Sequence, residues 1–275
     1  MIDLHVHTTA SDGQWAPEDV VRRAAAAGVT TLAITDHDTV AAWPAASAEA
    51  ARCGIRLIPG VEITAVIDGR DVHMLGYFFD PSSPRLADFI ATQREDRLRR
   101  VREIARRLAA IHCEIDLADL LERAALKGHQ SVGRPHVADA LVRAGYAVDR
   151  REAFDRWLRS GRPAFVPRRG ATPTEVIGLL TDIGGLASLA HPGLLQRDDL
   201  IPVLVRARLA ALEAYHCDHD AILTAHYRTL SRELGVAMTG GSDFHGEGVH
   251  RPDALGVVGL PDEEFAAFEA RRVRH

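Results

Sequence analysis

Apolar and polar residues alternate from Ile2 to His7, the period of a strand with one face buried. Residues 30–35 (TTLAIT) and 55–61 are short, nearly continuous apolar runs, as expected of parallel strands covered on both faces. Between these strands the period becomes helical. One helix is predicted over 17–27, with Pro17 at its start, Glu18 and Asp19 in its first turn and Gly28 as its stop; a second covers 45–52 and stops at Gly54. Alternating strands and helices up to Glu62 predict a parallel sheet with right-handed crossovers. Residues 63–67 and 70–77 then flank Asp68-Gly69, a favoured two-residue turn, and predict a hairpin that returns His73 towards Glu62.

From residue 85 to 160 the pattern is helical. Ile90, Arg94, Leu98, Val101, Ile104, Ala105, Leu108 and Ile111 share one face of a long amphipathic helix, with shorter helices near 117–126, 136–144 and 151–158. Alternation resumes with a helix N-capped at Thr172 and ended at Gly184-Gly185. Strands follow at 186–190, 209–215 and 236–239, with a helix over 222–234, a last strand at 257–259 and a closing helix at 262–272. The fold class is α/β: residues 1–84 and 161–275 form a sheet domain, and 85–160 an inserted α-helical cap over its mouth.

Composition sharpens this picture. The 275 residues, 47% of them hydrophobic, suffice for a large core. Neither a basic n-region followed by an apolar run nor an apolar stretch near the ~20 residues of a membrane span is present. Cys53, Cys113 and Cys217 are scattered and odd in number, which predicts free thiols and a cytoplasmic protein. The net charge of −5 is uneven, since residues 85–160 carry 16 basic against 12 acidic side chains and the remainder 17 against 26. This suggests either an acidic metal-holding body with a basic cap for an anionic ligand, or an arginine-rich solvated helix face. Only one of the 33 basic residues is a lysine, Lys127, a bias of composition.

The predicted strands finish with His5 and His7, Asp36 and His37, Glu62, His191, His216, and Asp243 and His245. Strand ends of a parallel α/β barrel converge on one rim, where active sites are built. His5 and His7, two apart, point to the same side of their strand, and Asp12 lies a short loop away. Imidazoles and carboxylates crowded together would repel or stay unsatisfied without a cation between them. With no cysteine among them they suit Mn²⁺, Zn²⁺ or Fe²⁺, and there is room for two or three ions.

Asp3-Leu4-His5-Val6-His7, Ser11-Asp12-Gly13, Thr35-Asp36-His37-Asp38, Gly60-Val61-Glu62, His191-Pro192 and Gly241-Ser242-Asp243-Phe244-His245 together resemble the motif set of the PHP (polymerase and histidinol phosphatase) phosphoesterases. The resemblance covers the whole chain and implies a distorted (β/α)7 TIM-like barrel holding three divalent ions, Mn²⁺ foremost, with Zn²⁺, Fe²⁺ or Mg²⁺ as alternatives. It further implies that His5, His7, Glu62 and Asp243 hold the first ion. Glu62, His73 and His191 would hold the second, and Asp12, His37 and His245 the third. The helical insertion is similar to that of stand-alone bacterial members acting on 3′,5′-bisphosphate nucleotides or, as 5′→3′ exonucleases, on short RNA. Their phosphate-contacting Arg-x-His is matched by Arg134-Pro135-His136. Gly133 departs from relatives with a serine, so one hydroxyl contact is missing.

Tyr215-His216-Cys217-Asp218-His219 resembles the family's histidine-bearing segment, with His219 a substrate contact and His216 left to packing. Candidate catalytic residues are Asp36, which with Asp38 would orient neighbouring ligands, and His136 and His219, either of which would protonate the leaving oxygen or bind phosphate. His112, His129, His226, His250 and His275 lack motif context and are expected to face solvent. Trp15 and Trp43 read as packing residues, Trp15 being the better base-stacking candidate, and the cysteines as inert. The implied activity is removal of the 3′-phosphate from a nucleoside 3′,5′-bisphosphate; exonucleolytic cleavage of 5′-phosphorylated RNA and histidinol phosphate hydrolysis are the alternatives. A non-catalytic binding module is opposed by the intact ligand set. The partners implied are a small phosphorylated nucleotide or short RNA, with no membrane and no obligate protein partner.

Overall fold

The structure, a computed structural model, describes residues 1–126, 131–246 and 255–272. Lys127, His129, His250 and His275 lie outside them. Seven strands form one sheet in chain order: β1 (Ile2–Val6), β2 (Thr31–Ile34), β3 (Arg56–Ile67), β4 (Arg70–Tyr77), β5 (Leu186–Leu189), β6 (Ala211–His216) and β7 (Ala237–Gly241). β1, β2 and β3 run parallel, as do β5, β6 and β7. β4 runs against both its neighbours because Asp68 and Gly69, both at positive φ, fold it straight back onto β3. The ends of the sheet meet. The Asp243 N–H donates to His5 O at 2.8 Å and the His7 N–H to Phe244 O at 2.8 Å, so β7 closes onto β1. The result is the α/β architecture expected, a nearly closed seven-stranded barrel.

Helices α1 (Pro17–Ala26) and α2 (Trp43–Cys53) end before Gly28 and at Gly54, both at positive φ. α3 (Pro84–Ala109), α4 (Leu117–Leu126), α5 (Arg134–Arg143) and α6 (Arg150–Ala153) make up the helical segment, and α6 continues into a π-helical turn, Phe154–Leu158, where a regular helix was expected. That wider turn lets the sequence neighbours Trp157 and Leu158 both bury. α7 (Pro173–Asp182) is capped by Thr172, which accepts from the Glu175 N–H while Glu175 accepts from the Thr172 N–H. α8 (Pro192–Leu195), a 3₁₀ turn at Asp198–Leu200 and α9 (Ile201–Arg206) precede β6 and were not legible in the sequence; α10 (Ala221–Glu233) and α11 (Asp262–Glu269) follow it.

Two expectations are corrected. Residues 257–259 are not a strand: only Leu260 bridges Ile2, its N–H donating to Ile2 O at 2.9 Å, because β7 already occupies the rest of that edge of β1. The buried stripe of α3 passes through Gln93, Arg97 and Arg100 rather than Arg94 and Leu98. α3 is also shared between two cores. Leu86 and Ile90 pack with the barrel interior, while Val101, Ile104 and Leu108 join a separate set that includes Leu141, Trp157 and Leu158. No described helix is long and apolar enough to cross a membrane, and Cys53, Cys113 and Cys217 are free.

Candidate metal centre

The rim brings the polar residues together. Those of β1, β2, β5, β6 and β7 stand at or just past strand ends, whereas Glu62, expected to end a strand, lies midway along β3 because the hairpin prolongs that strand to Ile67, and His73 lies within β4. His5 and His7 project from β1 with both rings buried, their Nε2 atoms 3.2 Å apart. Glu62, on β3, lies at the middle. Its Oε2 is 3.4 Å from His5 Nε2, 3.2 Å from His7 Nε2 and 3.0 Å from His37 Nδ1, and its Oε1 is 2.7 Å from His73 Nδ1 and 3.4 Å from His191 Nε2. Asp243 Oδ1 stands 3.2 Å from both His5 Nε2 and His7 Nε2. Asp12 reaches His37 Nε2 at 3.7 Å and His245 Nε2 at 3.4 Å. Close packing of backbone permits this crowding, since a Cβ at Gly241 would run into the main chain of His5.

Among the described residues, ligand atoms within 4.8 Å of one another are offered by His7, Asp12, His37 and His245; by His5, His7 and Glu62; by His37, Glu62 and His73; and by His5, His216 and Asp243. Eight of the nine residues singled out as ligands stand in these groups, and the ninth, His191, belongs to none of them but reaches Glu62 Oε1 at 3.4 Å. The sharing is less tidy than the sequence motifs imply, because His7 and His37 each belong to two groups. His216, left to packing, stands with its Nε2 3.4 Å from Asp243 Oδ2.

Three observations fit the cluster to divalent cations. His7 Nδ1, His37 Nδ1, Glu62 Oε1, His73 Nδ1 and His191 Nδ1 are buried without a hydrogen-bond partner, even where an opposite atom lies nearby. Each such atom costs about 1–3 kcal/mol unless something satisfies it. The donor set mixes imidazole nitrogen with carboxylate oxygen, as borderline and hard divalent metals require. His191 and Asp243 lie at positive φ (25° and 50°), backbone strain of the kind held at functional sites.

The protonation pattern agrees. Burial disfavours an imidazolium at His7, but hydrogen bonds to Asp243 and Glu62 outweigh it and raise its pKa to about 10. Burial likewise opposes ionisation of Glu62 and Asp243, yet the surrounding histidines hold both well below the usual carboxylate range. A proton on His7 thus takes the place that a cation would fill. His37 goes the other way, its pKa lowered to about 3 by burial, which keeps it neutral and able to ligate.

A second set of buried charges borders the first. Asp38, next to His37, takes Arg97 Nε at 2.5 Å and Arg168 Nη2 at 2.7 Å. Asp71, two residues before His73, takes Arg100 Nη1 and Arg134 Nη2, each at 3.0 Å. Four guanidinium groups therefore face two carboxylates, and Arg100 Nη2 and Arg168 Nε are buried without an acceptor. Sequence reasoning found Arg134 and missed the other three.

The proposed catalytic residues are placed as follows. Asp36 is buried and accepts from the Thr8 N–H (2.8 Å), Thr8 Oγ1 (2.7 Å) and Ser11 Oγ (2.6 Å), so its carboxylate organises the loop that carries Asp12. His136 accepts the Gly133 N–H on Nδ1 at 3.1 Å. His219 does not present a ring nitrogen for proton transfer: Nδ1 lies 3.1 Å from Ala214 O and Nε2 accepts the Gly193 N–H at 3.2 Å. Trp15 is stacked by the Arg23 guanidinium at 3.5 Å, which occupies the face a base would use.

Glu213 on β6 was missed altogether. Its Oε1 is 2.9 Å from His5 Nδ1 and its Oε2 accepts the His191 N–H at 2.7 Å. The available signal was a lone carboxylate in the otherwise apolar run LAALEAY.

A PHP domain model matches residues 3–98. The 3′,5′-nucleoside bisphosphate phosphatase of Chromobacterium violaceum is 33% identical over 270 residues, covering 94% of this chain and 92% of its own. The chain belongs to the PHP-domain phosphoesterases. The 5′-3′ exoribonuclease Rnm of Salmonella typhimurium is 39% identical over 253 residues, 88% of this phosphoesterase and 84% of its own length. A solved metal-dependent phosphoesterase of Bifidobacterium adolescentis superposes with a TM-score of 0.89 at 33% identity, covering 99% of this chain and 96% of its own. This PHP phosphoesterase is accordingly a hydrolase of phosphate esters whose clustered histidines and carboxylates are fit to hold metal.

Proposed function

We propose that the protein removes the 3′-phosphate from nucleoside 3′,5′-bisphosphates. The observation that carries this reading is the juxtaposition of a carboxylate- and histidine-lined centre with four arginines, three of them buried and Arg134 half-buried. A substrate with two phosphates offers one to each. The arginines, Arg134 foremost, bind the 5′-phosphate, and the centre receives the 3′-phosphate.

In this reading His5, His7, Glu62 and Asp243 hold one ion, Glu62, His73 and His191 a second, and Asp12, His37 and His245 a third. Divalent ions bound there, Mn²⁺ before the others, supply an acidified water and offset the phosphoryl charge. The side chains do the rest. His136 accepts from Gly133 on Nδ1, so its neutral ring carries the proton on Nε2 and donates that hydrogen bond to a phosphoryl oxygen of the substrate, while the ribose 3′-oxygen takes up the proton given by the attacking water as the O–P bond breaks. The products are a nucleoside 5′-monophosphate and phosphate. Asp36 and Asp38 position their loops, and His219 holds the segment after His191 through Gly193. Free cysteines suit the reducing cytoplasm.

The test is phosphate release from adenosine 3′,5′-bisphosphate by Mn²⁺-loaded protein. Turnover is expected; its absence, with brisk turnover of histidinol phosphate, rejects the reading. A second reading, 5′→3′ cleavage of short 5′-phosphorylated RNA, is favoured by the groove between α3 and residues 166–169, where Arg99, Arg102, Arg106, Arg107 and Arg169 gather. Faster turnover of trimers than of mononucleotides promotes it.

A further inference from the structure

We propose that Glu213 is a positioning residue that sets two candidate metal ligands at once, the ring of His5 and the backbone of His191. The inference deepens the metal-dependent reading of the site and rests on it. Glu213 is fully buried on β6 and belongs to none of the groups that offer ligand atoms to a common point. Its two oxygens are spent on different parts of the fold, Oε1 on His5 Nδ1 in β1 (2.9 Å) and Oε2 on the His191 N–H just past β5 (2.7 Å). Only β7 stands between β6 and β1 around the barrel, and the carboxylate reaches past it on the inner face.

Each contact has a consequence at the centre. An ionised carboxylate only accepts, so Nδ1 of His5 must carry the ring proton. The lone pair of His5 is then on Nε2, the atom that stands 3.2 Å from His7 Nε2 and 3.2 Å from Asp243 Oδ1. The other oxygen holds the N–H of a residue at φ 25° and ψ 59°, a conformation a non-glycine residue keeps only when its surroundings impose it. One side chain therefore fixes the tautomer of one ligand and the strained main chain of another.

Glu213→Gln separates this role from simple core filling. The glutamine has the same shape, but one of its two ends is a donor and must face either a ring N–H or a backbone N–H. The variant is expected to bind Mn²⁺ about 10- to 100-fold more weakly than the parent in competition with a chelator, while its metal-free form retains the parent's circular dichroism. Parent-like Mn²⁺ affinity overturns the proposal. Should the variant fail to fold, ¹⁵N-histidine spectra of the Zn²⁺-loaded parent decide it: a proton on Nδ1 of His5 sustains the assignment, and a proton on Nε2 refutes it. Neither measurement uses a substrate. A parent without bisphosphate hydrolysis thus defeats the substrate reading alone, and unchanged metal affinity in the variant defeats this inference alone.

Discussion

Two adjoining sets of buried charge in this protein are finished to different degrees. Around Asp38 and Asp71 the carboxylates are saturated by arginines, and what is left over is positive: two guanidinium donors with no acceptor. Around Glu62 the shortage is of the opposite sign. Asp12, Glu62, Glu213 and Asp243 converge on histidines, several of which have buried, unpartnered ring nitrogens. One region is complete except for an anion and the other except for cations. A phosphate ester presented together with divalent metal would supply both.

The contrast can be broken most severely at its centre. Glu62→Gln removes the one carboxylate that touches five of the histidines, and hydrolysis by metal-loaded protein is expected to fall at least about a thousandfold in kcat/KM, equivalent to about 4 kcal/mol. Full rate in that variant would place the chemistry elsewhere. Asp38→Asn leaves Arg97 and Arg168 facing each other without a countercharge, and a stability loss of about 3–5 kcal/mol is expected in urea titration. Metal binding capacity should survive wherever the variant is folded. Arg134→Ala, at the half-exposed edge of the same set, should weaken a bisphosphate by about 1.5–3 kcal/mol in KM while sparing a substrate with a single phosphate. Equal losses on both substrates would detach the arginines from the second phosphate.

The most gradual effect is the one with pH. The His7 pKa is raised from 6.5 to about 10 in the folded, metal-free protein, so the charged ring stabilises that form fully below pH 6.5 and this contribution fades as pH rises through 10. Melting temperatures in chelator are expected to decline between pH 7 and pH 10. Metal must displace the same proton, so Mn²⁺ affinity should move the other way, gaining up to about tenfold per pH unit for each proton released. A metal-free melting temperature that climbs over this range would show that His7 is neutral without metal.

Much of the candidate site was legible because most of its residues end strands, Glu62 and His73 excepted, and a strand end fixes direction as well as position. His5, His7, Glu62, His191 and Asp243 could be placed on one rim from periodicity alone. The arginines could not. Arg97 and Arg168 look in sequence like the other arginines of this lysine-poor chain; the turn of α3 that also buries Gln93 and Arg100 shows that Arg97 points inward, and only its contact with Asp38 shows it for Arg168, in the segment before α7. Glu213 was hidden differently, as a single carboxylate inside a hydrophobic run whose partners lie 208 and 22 residues away. The short helices between β5 and β6 escaped because they are too brief to develop a periodic face.

The sharing of α3 also ties the two apolar sets of the molecule together. A 26-residue helix, about 39 Å long, is rooted at one end among the barrel's apolar side chains and at the other among those of the helical segment. Swinging one body away from the other would mean bending an unbroken rod, and no proline interrupts it beyond its first turn. Relative motion of the two apolar sets is therefore resisted along the whole length of a stiff spar, so the barrel and the helical segment keep their register.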